Sequence, residues 1–335
     1  MRALVLAALL VAGCDSCAHH APPAAHASTS SPSVAAAPSV SASSSSAPSP
    51  AKPVPARELT WIYQHNAVGP MQVVVSIPAH RPGQKFPVLV ALHGRGEAFK
   101  GAARGALGWV EDYRMPKAIE RLHHPPLTDQ DFGGMSVAAR LERINRTLAK
   151  QPYRGLIVVC PYTPDILAGD RPFYAAKPLS HFVVDELLPR VYRETPALGT
   201  QASTGIDGVS LGGRASLLVG FMRPDAFHVV ASLQAAFDAA EAPALVQVAD
   251  KARRQNPELV IRLLTSSHDF FREDNYEIAR EMTRAGIPHE LLEVRGTHSY
   301  EFNRGPGAYE MLLFHDRALR GEPTLDNRHD AGRAP

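Results

Sequence analysis

The sequence has 335 residues, of which 45% are hydrophobic and 20% are charged. These proportions are ordinary for a globular protein with a sizeable core, and the length suits one large domain or two small ones. The formal net charge is +2, and the basic residues do not gather into a stripe. The composition therefore argues against nucleic acid as a main partner.

The first residues, MRALVLAALLVAGC, combine one positive residue, a short apolar run and small residues ahead of Cys14. The run is too short to cross a bilayer, which takes about 20 apolar residues, and is typical of an export signal. Its end, LVAGC, resembles a bacterial lipobox, in which the signal is removed before a cysteine that then carries lipid. We expect residues 1–13 to be a lipoprotein signal peptide and Cys14 a lipidation site. An ordinary signal peptide with an incidental cysteine is the alternative.

Residues 14–57 consist largely of alanine, serine and proline. Such a segment buries too little apolar surface to offset the entropy lost on ordering, so it is expected to be a disordered tether with a reach of roughly 35 Å. Residues 58–335 would then form one folded domain. We expect an exported protein of a bacterial cell envelope, facing the periplasm or the surface, that a lipid anchors to a membrane without spanning it.

Strand-like and helix-like segments alternate along this domain. Strands are expected at 71–79, 86–94, 155–162, 228–234, 258–267 and 289–296, and in the run that leads into Ser210. Helices are expected at 181–194, at 212–224 after Ser210, and at 275–286. The apolar runs of the strands are continuous, which indicates a mostly parallel sheet with helices on both faces, an α/β fold.

The stretch GVSLG at 208–212 matches G-x-S-x-G, the nucleophile elbow. In that motif the serine occupies a tight turn between a strand and a helix, and the flanking glycines remove side chains that would clash with neighbouring backbone. A strand-like run precedes the match and a helix-like run follows it. The context therefore predicts that Ser210 is a nucleophile.

A nucleophilic serine needs a base, and in this fold the base is a histidine near the end of the chain. His298 lies in a loop directly after the last predicted strand. His228 and His289 begin strands, which would place them at the opposite end of the sheet. His298 is therefore the predicted base.

The base needs a carboxylate that orients it, between the serine and the histidine in chain order. Asp269 is the first carboxylate after the predicted strand 258–267 and is the preferred candidate. Asp274 lies at the start of the next helix, where an acidic residue also has a structural reason to be. Asp238, after an earlier strand, is a third candidate.

Acyl transfer also needs hydrogen-bond donors for the oxyanion. The amide of Leu211, directly after the nucleophile, is one candidate. The second is the amide of Gly94 or of Arg95, in the early turn VALHGRGE, where the His93 side chain is expected to be structural. This chemistry requires no cofactor and no metal.

Four motifs in order, LHG, GVSLGG, SSHDFFREDN and RGTHSYEF, resemble one branch of the α/β-hydrolase superfamily. That branch contains esterase D, the feruloyl esterases and the enterochelin esterases, and the mycobacterial mycolyltransferases are related to it. The resemblance covers about residues 70–318. It implies a serine ester hydrolase without cofactor, and it supports Asp269 as the acid and His298 as the base.

The sequence departs from the simplest members of that branch at residues 95–154, between the predicted oxyanion loop and the next strand. A connection of this length is usually functional, so we expect a helical and loop insert that shapes the pocket. Its Trp109, Tyr113 and Phe132 either line that pocket or belong to the core of an added layer.

Together these features predict a serine esterase that hydrolyses a small-molecule or saccharide-linked ester through an acyl-enzyme. Transfer of the acyl group to a sugar or lipid acceptor is an alternative. So is a catalytically silent lipoprotein that keeps the hydrolase fold as a binding module.

Overall fold

The computed structural model describes residues 52–168 and 172–325, and all of the described secondary structure belongs to the compact unit Pro50–Pro335. The predicted signal peptide, Cys14 and most of the predicted tether lie outside the described residues. Among the helices that are described, none combines the length and the apolar character that crossing a membrane requires.

The described residues form one sheet of eight strands. The strands are β1 (Arg57–Tyr63), β2 (Met71–Ile77), β3 (Val88–Leu92), β4 (Ile157–Pro161), β5 (Thr204–Gly208), β6 (Val229–Leu233), β7 (Val260–His268) and β8 (Glu290–Thr297). Their order across the sheet is β1-β2-β4-β3-β5-β6-β7-β8. Strand β2 is antiparallel to both β1 and β4, whereas neighbours from β4 to β8 are parallel.

Helices fill the connections between the strands. In chain order they are α1 (Arg95–Ala98), α2 (Gly101–Gly105), α3 (Met115–His123), α4 (Ala138–Lys150), α5 (Pro172–His181), α6 (Leu188–Glu194), α7 (Leu211–Met222), α8 (Ala242–Gln255), α9 (Arg272–Arg284), α10 (Tyr300–Phe302) and α11 (Ala308–Ala318). π-Helical segments at Gly108–Asp112 and Phe182–Leu187 lie between some of them, and Asn303–Gly307, which is kinked at Gly305, connects α10 to α11.

Two hydrophobic cores lie on opposite faces of the sheet. In β3, Val88, Val90 and Leu92 belong to one core, and Leu89 and Ala91 belong to the other. Helices α5 to α9 contribute to the first core, and α3, α4 and α11 contribute to the second. Because both faces of the central strands are covered, their apolar runs are continuous. The predicted α/β fold with a mostly parallel, doubly covered sheet is confirmed.

The segment 95–154 contains α1 to α4, of which α3 and α4 form a layer over the second core. Trp109, Tyr113 and Phe132 are all buried in that core. Phe132 stacks on Tyr309 of α11, with 4.9 Å between ring centroids. Trp109 and Phe132 are thus core residues, whereas the hydroxyl of Tyr113 also reaches the site described next.

Candidate active site

Ser210 stands in a sharp turn between β5, which ends at Gly208, and α7, which begins at Leu211. Its backbone has φ 58° and ψ −115°, a conformation that costs a non-glycine residue about 1–3 kcal/mol. The turn is held by the Ser210 amide, which donates to the Leu233 carbonyl at 2.9 Å, and by the Ser210 carbonyl, which accepts from the Ala236 amide at 3.1 Å. These bonds to β6 and the loop after it hold the turn in its strained conformation.

The glycines on either side of Ser210 are required by the close approach of strand and helix. A Cβ atom on Gly208 would lie 2.4 Å from the Gly212 carbonyl oxygen, and one on Gly212 would lie 2.3 Å from the Leu92 carbonyl oxygen. Both distances are far below van der Waals contact. The two glycines of the motif are therefore needed because strand and helix pack too closely for any side chain at these positions, as the sequence context predicts.

Asp269 and His298 follow the ends of the adjacent strands β7 and β8. The His298 Nδ1 atom lies 2.8 Å from the Asp269 Oδ1 atom. The carboxylate is buried and also accepts the Thr265 hydroxyl at 2.9 Å and the Phe271 amide at 3.1 Å. Since Nδ1 donates to the carboxylate, Nε2 is the ring nitrogen that is free to accept a proton.

Ser210 and His298 line one cavity of about 360 Å³, together with Leu211 and Arg95. In the described part of the chain the Ser210 hydroxyl makes no hydrogen bond to the imidazole. Contacts between nucleophile and base are commonly long in the absence of substrate and shorten when it binds. The structure therefore brings the serine and the histidine to the same cavity, with the aspartate behind the histidine.

The other two candidate carboxylates have partners elsewhere. Asp274 accepts the Ala239 amide at 3.0 Å, and Asp238 accepts the Ala240 amide at 2.8 Å, so both cap one short turn after β6. The pKa of Asp274 is raised, chiefly by burial. Of the three aspartates, the structure places Asp269 at the imidazole of His298.

The backbone amides proposed as donors to the oxyanion differ in whether each already donates a hydrogen bond within the protein. The Gly94 amide donates to the Tyr113 hydroxyl at 3.1 Å. Among the described residues, the amides of Arg95 and Leu211 have no recorded acceptor, and both residues line the cavity. The geometry therefore favours Arg95 over Gly94 as the second donor.

A buried carboxylate that the sequence analysis did not single out joins the two loops of the site. Glu97 is 1% exposed and accepts the hydroxyls of Tyr113 and of Tyr300, the latter at 2.5 Å. Burial is the largest cause that raises the pKa of both tyrosines, and Glu97 raises them further, so the hydroxyls stay protonated. Because the Tyr113 hydroxyl donates its hydrogen bond to Glu97, its oxygen is the atom that accepts from the Gly94 amide.

The turn HGRGE has the glycines that this arrangement needs. A Cβ atom on Gly94 would lie 3.0 Å from the Tyr113 hydroxyl oxygen, and one on Gly96 would lie 3.1 Å from that of Tyr300. The G-R-G-E pattern is the one sequence feature that could have drawn attention to Glu97. It does not identify the tyrosines, since Tyr300 lies 203 residues from Glu97.

The His93 side chain holds backbone at the start of the same turn. Its Nε2 atom accepts the Thr163 amide at 2.8 Å, and its Nδ1 atom lies 2.9 Å from the Gly94 carbonyl oxygen. Burial lowers the pKa of His93 to about 4. The imidazole is therefore neutral at ordinary pH and connects the ends of β3 and β4.

The residues that the structure describes contain no group of three or more histidine, cysteine, aspartate or glutamate side chains suited to a metal ion. Cys160 is buried with a free thiol, and burial raises the pKa of that thiol. Cys17 lies outside the described residues.

The strand order and the positions of the serine, aspartate and histidine define the class of fold, the α/β-hydrolase fold. Residues 171–305, the segment that holds these three side chains, match the family model described as "Putative esterase". No curated protein matches the chain in sequence.

Solved structures of esterases have the same fold. A ferulic acid esterase superposes with a TM-score of 0.57 at 17% identity, over 79% of this chain and 99% of its own. For the S-formylglutathione hydrolase of Staphylococcus aureus the TM-score is 0.55 at 15% identity, over 78% and 97%. That of Agrobacterium tumefaciens gives 0.53 at 16%, over 81% and 99%.

The resemblance to α/β-hydrolase esterases that the sequence motifs indicate is confirmed by these matches. The predicted enzyme class, a carboxylic ester hydrolase, agrees with the family model, which is described as an esterase, and with the neighbour named a ferulic acid esterase. At identities this low the structural likeness establishes the fold. The roles of individual residues rest on the geometry given above.

Proposed function

We propose that this protein is a serine esterase that hydrolyses a carboxylic ester through an acyl-enzyme on Ser210. The observation that carries the proposal is the position of His298, which is bonded to Asp269 at 2.8 Å and lines the same cavity as Ser210. A nucleophile, a base and a carboxylate that orients the base are the groups that acyl transfer requires.

The reaction begins when the Ser210 hydroxyl attacks the ester carbonyl and His298 Nε2 takes its proton. Asp269 stabilises the imidazolium that forms. The amides of Leu211 and Arg95 hold the oxyanion, and one such donor contributes about 2.7–4 kcal/mol to the transition state. Collapse of the intermediate breaks the bond to the alcohol, which leaves with the proton from His298. Water, deprotonated by the same imidazole, then releases the acid and restores the serine.

The size of the site supports a small-molecule ester or an ester group carried on a saccharide. Its cavity of about 360 Å³ falls within the range of roughly 300–1,000 Å³ that small-molecule sites occupy. One neighbour is named a ferulic acid esterase and two are named S-formylglutathione hydrolases. We therefore propose that the reacting part of the substrate is small.

Labelling and mutation test the proposed function. A fluorophosphonate is expected to modify Ser210 covalently. Ser210→Ala and His298→Ala should each lower kcat on the order of 10⁴-fold or more while circular dichroism and the melting temperature stay unchanged. A folded wild-type protein that neither reacts at Ser210 nor hydrolyses any ester of a broad panel would show instead a silent binding protein. A sugar ester formed with an added acceptor sugar would show an acyltransferase.

We also propose that the protein is exported and attached to a membrane of a bacterial cell envelope through lipid on Cys14. The support is the sequence MRALVLAALLVAGC, with its short apolar run and lipobox-like end. Cys14→Ser is expected to move the protein from the membrane fraction to the soluble fraction and to abolish incorporation of labelled fatty acid. Cys17→Ser is the matched control and should change neither. Unaltered partitioning of Cys14→Ser would leave only an ordinary export signal.

A further inference from the structure

Two adjacent phenylalanines lie against the imidazole of His298. The Phe270 ring centroid is 4.2 Å from that of His298 with 34° between the planes, and the Phe271 centroid is 5.6 Å away at 69°. The two phenylalanine rings also contact each other, at 4.6 Å between centroids. Both residues line the cavity that contains Ser210. Together they form an aromatic surface beside the proposed base.

Phe270 is 70% exposed although it stacks on a largely buried histidine. Exposure of a single phenylalanine is not in itself a signal, because Phe99 is 71% exposed and does not line the cavity. Phe270 differs because its exposed ring belongs to the cavity wall and touches a proposed catalytic side chain. A ligand in the cavity would therefore cover apolar surface that is now in contact with solvent.

The chemistry of the reaction determines which part of an ester lies beside His298. The imidazole gives its proton to the oxygen of the leaving alcohol, so that oxygen comes within about 3 Å of Nε2. The acyl carbon is bonded to Ser210 at that stage. Because the Phe270 ring packs on the same imidazole and lines the same cavity, an alcohol larger than methanol extends from the leaving oxygen towards that ring.

We propose that Phe270, with Phe271 beside it, binds the alcohol part of the ester, and that this alcohol presents a flat face to the ring. Such a face is either an aromatic ring or the C–H face of a sugar, and both pack well on phenylalanine. The inference rests on the proposed serine esterase function and deepens it by assigning the leaving-group side of the cavity.

Esters that differ only in their alcohol test this assignment. The acid is the one whose methyl ester the wild-type protein hydrolyses fastest, and it is supplied as the methyl ester, the benzyl ester and the ester of the glucose C6 hydroxyl. Methanol and benzyl alcohol are similarly acidic, so their intrinsic leaving abilities are matched. Phe270→Ala is expected to lower kcat/KM roughly tenfold for the benzyl or the glucose ester and less than about twofold for the methyl ester. Whichever of the benzyl and glucose esters shows the larger fall in kcat/KM identifies the kind of alcohol that Phe270 binds.

A second measurement separates binding of the alcohol from support of the imidazole. The alcohol has left before water attacks the acyl-enzyme, whereas His298 acts in both steps. Hydrolysis of the isolated acyl-enzyme should therefore proceed at the wild-type rate in Phe270→Ala. Phe270→Tyr, which keeps the ring, should restore the discrimination between alcohols. Tyr174→Ala, which removes a ring that is 73% exposed and does not line the cavity, should leave the hydrolysis of all three esters unaffected.

The possible failures are distinct. Equal losses of kcat/KM on all three esters, or slowed hydrolysis of the acyl-enzyme, would overturn the assignment of Phe270 while the enzyme remains an esterase. A wild-type protein that hydrolyses none of the esters and is not acylated at Ser210 would instead overturn the proposed function on which the assignment rests.

Discussion

At the scale of single residues, Asp269 and Asp274 have the same side chain, lie five positions apart and differ in their partners. Asp269 accepts from the His298 imidazole, and Asp274 accepts from the Ala239 amide. Asp269→Asn places an amide against Nδ1 and favours the tautomer whose Nε2 cannot act as a base. We expect kcat for ester hydrolysis to fall on the order of 10⁴-fold.

The Asp274→Asn variant is the matched control. Its remaining carbonyl oxygen still accepts from Ala239, so we expect kcat within a few-fold of wild type. The reverse result, an inactive Asp274→Asn and an active Asp269→Asn, would show that Asp274 and not Asp269 orients the imidazole. Thermal unfolding of both variants shows whether either change acts through stability.

The Tyr113 hydroxyl is a second residue-scale test, because it connects Glu97 to the oxyanion loop. Tyr113→Phe leaves the Gly94 amide without its acceptor and loosens the turn that presents the Arg95 amide. Removal of a whole oxyanion donor lowers kcat about 10²–10³-fold, so we expect an indirect loss of about tenfold, with KM nearly unchanged.

Tyr162→Phe is the control for that measurement. The Tyr162 hydroxyl donates at 2.9 Å to the Ala98 carbonyl, on the same helix α1 as Glu97, and not to the Glu97 carboxylate. Its removal should leave kcat at the wild-type value. Equal losses of kcat in the two variants would show that the hydroxyls only stabilise α1.

At the scale of elements, the packing of α7 on the sheet depends on glycines. A Cβ atom would lie 2.3 Å from the Leu92 carbonyl oxygen at Gly212 and 2.9 Å from the Leu233 carbonyl oxygen at Gly213. In both cases the atom that the new methyl group would meet belongs to the backbone of a neighbouring strand, which cannot move aside as a flexible side chain could. We expect Gly212→Ala to lower the free energy of unfolding by about 3 kcal/mol and Gly213→Ala by less, as measured in urea. A Gly212→Ala protein as stable as wild type would contradict this close approach.

The elements that the sequence reveals are those with a strong local pattern. Central strands such as β3 and β4 are buried along their whole length and show as apolar runs. Strand β1 is not predicted because it pairs only with β2 and is largely exposed. Helix α11 is buried on every side and lacks an amphipathic stripe, so its sequence does not show the periodicity by which a helix is predicted.

The residues of the candidate site also fall into two groups, those that local sequence patterns predict and those that they do not. The positions of Ser210, Asp269 and His298 follow from strand ends and chain order, which are local features of the sequence. The contacts of Glu97 with Tyr113 and Tyr300 depend on how the segment 95–154 folds against the loop after β8, and no short stretch of sequence contains that information. These contacts require the folded chain.

At the scale of the whole molecule, covering both faces of the sheet buries histidines that pH can charge. His93 is buried between β3 and β4, and His315 of α11 is buried with its Nε2 atom 3.1 Å from the Asp207 carboxylate. Burial is the main cause that lowers the pKa of both. The folded protein therefore resists protonation at positions where the unfolded chain accepts it.

This difference predicts an acid-sensitive fold. The His93 pKa falls from 6.5 in the unfolded chain to about 4 in the folded protein, so between these values the unfolded state binds more protons. Stability that is present above pH 6.5 is lost as the pH falls towards 4, by roughly 3 kcal/mol for His93 alone. The free energy of unfolding, measured in urea from pH 7.5 to 4, should follow this course.

The His93→Gln variant isolates the contribution of that one imidazole. Glutamine keeps an oxygen that can accept from the Thr163 amide but does not titrate in this range. The variant should be less stable than wild type at pH 7.5, because the imidazole packing and its bond to Gly94 are lost, and the difference should shrink as the pH falls to 4. Parallel curves for the two proteins would mean that the pKa of His93 is the same in the folded and the unfolded state, and the acid sensitivity would then belong to other groups such as His315.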